Sequence, residues 1–241
     1  MSILQSCSDL IWPRTCEVCG RAVDRPARHI CASCLARLPF VPQVGCCSVC
    51  GRAVEGLAND YLCEDCSGAG RPHFDRAASA LRFEGVAREL VLGFKFRRRL
   101  WLRDDLVDWM ESALRARFDA AAVDVVLPMP ATPWHRLDRG YNQCAYLARP
   151  LARRVDRRYD GGILVRTGLP RRQSSLTEQE RRENAKGTFR VRHAERVRGR
   201  TVLVVDDVMT TGATLSECAR ALKLAGAWRV WGLTVVRSIR T

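Results

Sequence analysis

Asp206, Asp207, Thr210, Thr211, Gly212, Ala213 and Thr214 stand close together in the chain, and their types suit one kind of ligand. Two adjacent carboxylates can accept hydrogen bonds from a pair of vicinal hydroxyls. Threonine hydroxyls and closely spaced backbone amides at a helix start attract a phosphate, through hydrogen bonds and through the helix dipole. The carboxylates cannot hold that phosphate themselves, because anion would meet anion. A diol-binding acidic pair followed by a phosphate cradle describes a ribose 5-phosphate, with Gly212 letting the backbone approach it. Helix capping by Asp206 or Thr210 accounts for one of these residues. It leaves the paired carboxylates, the paired threonines, the glycine and the third threonine without a role.

The surrounding pattern supplies the elements that position this cluster. Val202, Leu203, Val204 and Val205 are consecutive β-formers, as in a strand buried on both faces. Leu215, Cys218, Ala219, Leu222 and Ala225 recur at helical spacing and Gly226 supplies a stop, so the polar cluster reads as a strand-to-helix loop. Upstream, the pattern predicts strands over 77–83, 123–127 and 164–167 and helices over 85–96, 102–118, 143–154 and 177–185. A last strand is predicted over 230–236. Strands alternating with helices imply an α/β fold with a mainly parallel sheet and helices on both faces.

The first 70 residues have a different character. Of twelve cysteines, eight form four C-x2-C pairs: Cys16 and Cys19, Cys31 and Cys34, Cys47 and Cys50, Cys63 and Cys66. Two residues between thiolates let a tight knuckle turn both sulfurs toward one tetrahedral ion, and two knuckles complete a closed zinc site. Gly20 and Gly51 each follow a pair, as a knuckle's turn requires. The spacing favours two successive zinc ribbons, 16-19-31-34 and 47-50-63-66, and leaves interleaved ligation and competition from Cys46 open. Four thiolates fill a zinc ion's coordination, so two such Zn2+ ions would be structural or serve as interaction surfaces. Cys7, Cys144 and Cys218 have no partner pattern and read as small core residues. The boundary is expected near residues 67–72, giving a zinc-ribbon module over 1–70 and an α/β domain over 71–241.

Composition sets outer limits. No apolar run approaches the ~20 residues of a membrane helix, and a leader pattern is missing, so a cytoplasmic location is expected, without membrane insertion. The net charge of +14 divides into −1 for residues 1–70 and +15 for 71–241. That excess could attract nucleic acid in a salt-dependent way. The 37 arginines against three lysines could equally reflect genome composition.

A second anion site is suggested by the strand end at Pro128, Met129 and Pro130 with the loop that follows, where Arg136 and Arg139 could pair with phosphate oxygens and Gly140 could bring amides close. The run Trp134, His135, Arg136, then Arg139-Gly140-Tyr141-Asn142-Gln143, then Asp206-Asp207-Val208-Met209-Thr210-Thr211-Gly212-Ala213-Thr214, preceded by the cysteine knuckles, resembles the ComF family of competence-associated, type I phosphoribosyltransferase-like proteins. A further block, from Arg171, Arg172 and Gln173 to Arg182, Asn184 and Phe189, is similar to the same family. The resemblance covers residues 16 to about 237.

It implies a type I phosphoribosyltransferase fold that binds 5-phosphoribosyl 1-pyrophosphate (PRPP) with Mg2+. Arg172, Gln173 and Arg182 would then lie on the loop that closes over substrate, with Asp206 and Asp207 as the catalytic pair. His135 would donate a proton or support its loop. Loss of pyrophosphate leaves positive charge on the sugar, which carboxylates stabilise. The acceptor is not legible. The readings are a phosphoribosyltransferase linked to DNA uptake, a single-stranded DNA-binding accessory of the uptake machinery, and a PRPP-sensing regulator without turnover.

Overall fold

The strand predicted at Val202 forms, and runs further than expected. In the computed structural model, which describes residues 14–23, 29–54, 56–57, 59–68, 70–132, 140–167 and 187–238, it spans Thr201–Met209 and so includes both aspartates. The reason is pairing: Asp206 stands opposite Thr234 and Val208 opposite Val236, so the neighbouring strand extends the ladder past the carboxylates. The polar loop is therefore confined to residues 210–212. The aspartates project from a strand, which corrects the expectation that they sit in the loop.

Numbered in chain order, the strands are β1 (Arg76–Arg82), β2 (Val125–Pro128), β3 (Arg158–Tyr159), β4 (Leu164–Arg166), β5 (Phe189–Val191), β6 (Thr201–Met209) and β7 (Arg229–Arg237). The helices are α1 (Ala32–Leu35), α2 (Glu64–Ser67), α3 (Gly85–Phe96), α4 (Arg103–Arg117), α5 (Gln143–Arg154) and α6 (Ala213–Leu224). Five strands form a parallel sheet in the order β1-β7-β6-β2-β3. β4 does not join it. It pairs antiparallel with β5 in a separate two-stranded sheet, and the Thr167 amide donates to the Thr188 carbonyl at 2.8 Å just beyond the pair.

Strand alternation divides the core. Val202 and Val204 pack with Val125, Leu127 and the α6 residues Leu215, Cys218 and Leu222 on one face. Leu203 and Val205 pack with Val126, Leu90 of α3, Leu106 of α4 and Leu147 of α5 on the other. Each such fully buried aliphatic side chain contributes about 1.5–3 kcal/mol relative to exposure.

The cysteine knuckles complete this core. Cys16, Ile30, Cys34 and Leu38 join the α3–α4–α5 side, whereas Cys47, Val49, Cys50, Cys63 and Cys66 join the α6 side. Between them the chain lies along the edge strand β1: the Val41 amide donates to Ala80 O at 3.0 Å and the Arg82 amide to Pro39 O at 2.8 Å. That pairing covers the part of an edge that would otherwise be open.

Candidate functional site

β6 carries the two carboxylates in succession, and an oxygen of each lies within 4.8 Å of the other and of Cys144 Sγ. Asp207 meets α3, where Lys95 Nζ donates to both carboxylate oxygens at 2.9 Å. Burial alone would lower the Lys95 ammonium, but Asp207 outweighs it and holds the group above the usual lysine range. Asp206 receives the Cys144 thiol at 3.2 Å and the Asp207 amide at 2.8 Å. Burial, then the neighbouring Asp207, raises the Asp206 carboxyl from an ordinary 3.8 to about 6. Burial also pushes the Cys144 thiol well above its usual range, so it stays protonated and donates.

The start of α5 locks this arrangement. Asn142 caps the helix by accepting from the Cys144 amide at 3.0 Å, and its Nδ2 donates to Met129 O, at the end of β2, at 3.0 Å. Gln143 Nε2 donates to the Lys95 carbonyl at 2.5 Å. The Asn142-Gln143-Cys144 run thus ties the end of β2, α3 and the acidic pair together.

Beyond the acids, Thr210 is exposed and Gly212 takes the left-handed conformation, with φ at +80°. That conformation favours glycine, and a Cβ there would stand 2.7 Å from Met209 Cε, so the methionine tip would have to shift to admit it. Thr211 Oγ1 accepts from the Ala213 amide at 3.3 Å, and Ala213 and Thr214 begin α6. The first-turn amides of a helix have no acceptors within it, which leaves this end able to hold an anion.

Gly140 is exposed, with φ at +79° and open space where a Cβ would point. Arg136, Arg139, Arg172, Gln173 and Arg182, with His135, Asn184 and the helix predicted over 177–185, lie outside the described residues.

Three residues near the acids were not marked as site residues by the sequence: Cys144, read as a small core residue, Lys95 and Arg166. Lys95 looked like one polar position of an amphipathic helix, although its being one of three lysines among 37 arginines was an available signal. Arg166, at the end of β4, has its Nε buried with no hydrogen-bond partner among the described residues, while its guanidinium lies over the Phe189 ring, 5.2 Å from the centroid. Burial lowers its pKa, against the attraction of Asp206. Nothing in the sequence marked Arg166, because the β4–β5 pairing that carries it was not legible.

The eight paired cysteines gather as two clusters, Cys16, Cys19, Cys31 and Cys34, and Cys47, Cys50, Cys63 and Cys66, with the sulfurs of each within 4.8 Å of one another. The knuckles therefore pair in sequence order. The donor set fits zinc: four sulfurs close a tetrahedral site, and the amides of Cys50 and Cys63 both donate to Cys47 Sγ at 3.5 Å, as they would to a thiolate. Cys46 stays out, its thiol donating to Pro42 O at 3.2 Å. Among the described residues, no helix is long and apolar enough to cross a membrane.

Residues 142–238 match the phosphoribosyl transferase domain family, and residues 7–67 match the double zinc ribbon domain family. Fold and site together define a protein of type I phosphoribosyltransferase fold that carries an N-terminal double zinc ribbon. The chain is similar to Competence protein F of Haemophilus influenzae, 27% identical over 226 residues that cover 90% of this chain and 95% of that protein. DNA utilization protein YhgH of Salmonella typhimurium is 30% identical over 223 residues, covering 90% and 88%. The YhgH protein of Escherichia coli O6:H1 aligns at 36% identity over 112 residues, 48% of its length. The chain belongs to the ComF family.

Proposed function

We propose that this chain binds PRPP together with Mg2+ and transfers its phosphoribosyl group. The observation that carries the reading is the end of β6: an enclosed acidic pair, each member held by its own donor, is followed five residues after Asp207 by a left-handed glycine and a helix N-terminus. The carboxylates accept the ribose hydroxyls, and the 210–214 loop holds the 5-phosphate. When pyrophosphate leaves the anomeric carbon, positive charge develops on the ring beside Asp206 and Asp207. Arg166, with its buried Nε, and the arginines Arg136, Arg139, Arg172 and Arg182, with Gln173 and Gly140, are the proposed pyrophosphate and loop ligands.

Two carboxylates face one ammonium here, so a negative charge is left uncompensated in a buried place, and a hard cation among oxygen ligands suits it. Asp206 and Asp207 would face such a Mg2+ ion, which would supply positive charge to the departing pyrophosphate. In this reading residues 1–70 and 71–241 are the two domains and the location is cytoplasmic, a proposal supported by cysteines grouped as metal ligands rather than as disulfides.

Titration calorimetry tests the site. PRPP with Mg2+ should give a saturable heat, and Asp206→Asn with Asp207→Asn should weaken binding by about 100-fold, as expected for losing two charge-assisted hydrogen bonds. Undiminished binding by that variant would sink the assignment. Pyrophosphate release over a panel of nucleobases then separates a transferase from a PRPP-sensing regulator.

A second reading is favoured by the +14 net charge and by the relatives' names, which refer to competence and DNA utilization. In it the chain is a single-stranded DNA-binding accessory of DNA uptake. Affinity should then fall steeply with salt, and no binding at low salt would remove its physical basis.

A further inference from the structure

The second four-cysteine site lies against the back of the phosphate cradle, and one residue joins them. Arg237 ends β7 and is buried, at 5% exposure. Its Nη1 donates to the Cys50 carbonyl and approaches Met209 Sδ at 3.8 Å, while Nη2 donates to Cys50 Sγ at 3.4 Å. Met209 stands opposite Arg237 in the sheet, and its methyl group fills the space beneath Gly212. A small cavity of about 60 Å³ separates the two sites, with Cys50, Cys66 and Arg237 on one side and Thr211, Gly212 and Ser216 on the other.

The knuckle is fixed from behind as well. Val49 O accepts the Ala77 amide of β1 at 2.6 Å, and a Cβ on Gly51 would stand 2.6 Å from Ala77 O. So Cys50 cannot shift without moving the sheet edge.

Charge explains why an arginine is tolerated at this depth. A buried guanidinium is costly unless an anion faces it, and among the described residues no carboxylate pairs with Arg237. The negative charge it touches is that of the cysteine cluster, where four thiolates exceed the charge of the ion they would bind, whereas Asp65, which lines the same cavity, pairs with Arg52. The first cluster is differently placed. Its ribbon contacts the segment between α3 and α4 through Glu17 with Arg99, and α4 through His29 with Asp105, both at 2.8–2.9 Å.

We propose that Arg237 couples the second zinc site to the phosphate cradle, so that metal in that site positions the 210–214 loop for the sugar phosphate. Arg237 is a positioning residue: it acts through Met209 and touches neither substrate nor metal. The coupling rests on reading that loop as the phosphate cradle.

The test uses the full-length, zinc-loaded protein and two readouts: release of each zinc ion to a coloured chelator, and calorimetry with PRPP and Mg2+. In Arg237→Met one of two zinc ions should leave about tenfold faster, the usual scale for losing a partner of a metal ligand, and PRPP affinity should fall by about tenfold. Arg237→Lys should recover part of both. Wild-type zinc release in Arg237→Met overturns the proposal, as does faster release with unchanged PRPP affinity. Should Arg237→Met fail to fold, Arg237→Lys alone decides: intermediate values support the coupling, and wild-type values in either readout overturn it. Absence of PRPP binding by the wild type would sink the reading of the loop and the coupling with it, and faster zinc release in the variant would then still register the Arg237 contact, which separates the two failures.

Discussion

Lys95 Nζ lies 2.9 Å from the carboxylate oxygens of Asp207, although 112 residues separate them in the chain. The contact follows from the packing of α3 against the sheet, which brings Lys95 to Asp207, and an oxygen of Asp206 lies within 4.8 Å of the Asp207 carboxylate. The pair sets the charge of the site, because one ammonium must answer two carboxylates.

Replacing Lys95 by Met should lower stability by about 2 kcal/mol, the scale for leaving a buried acceptor unpaired. Both side chains are mostly enclosed, at 22% and 7% exposure. Adding Asp207→Asn should recover part of that loss, since the uncompensated charge disappears. Urea unfolding of the four proteins checks the cycle, and strictly additive losses would contradict the pairing.

The raised Asp206 carboxyl predicts a pH dependence of definite sign. Its folded value of about 6 lies above the ordinary 3.8, so between these the folded state binds more protons than the unfolded one. The contribution of Asp206 to stability is therefore present below the ordinary value and declines as pH rises to about 6. Asp206→Asn should remove this decline, which thermal melts from pH 4 to pH 7 would reveal as a flatter profile. An unchanged profile would show that other groups carry it.

Gly212→Ala should damage the cradle before it damages the fold. The left-handed conformation costs an L-residue about 1–2 kcal/mol, and the new methyl would meet Met209 Cε. PRPP affinity should fall by about tenfold or more while the secondary structure persists. Circular dichroism with calorimetry separates these effects, and wild-type affinity would show that the loop tolerates a side chain.

Metal analysis should find close to two zinc ions per chain, one for each cluster. Serine at Cys47 and Cys63 should destabilise the protein more than serine at Cys16 and Cys31. The second cluster is wholly buried, whereas Cys19 of the first is exposed. Equal melting temperatures for the two variants would contradict that ranking.

Legibility differed from one part of the chain to another. Residues 202–205 and the helix that follows the loop could be read directly, because consecutive β-formers and helical spacing are local patterns, whereas the extension of the strand through Met209 depends on pairing with β7. The antiparallel pairing of β4 with β5 could not, since the three residues Leu164–Arg166 look the same in any sheet. The site was legible where its groups are consecutive, as in Asp206 and Asp207, and illegible where they come from other elements, as with Lys95, Cys144 and Arg166.

The amino-acid sequence by itself determined the chemistry available: carboxylates beside a glycine-containing threonine loop, and thiols in knuckles of fixed spacing. Bond geometry over a few residues suffices for both. Only the tertiary structure decided which donor each aspartate meets, which cation answers the pair, and that the knuckles fill both sides of the core. Those relations depend on strand register and on packing between segments far apart in the chain, where local spacing has no reach.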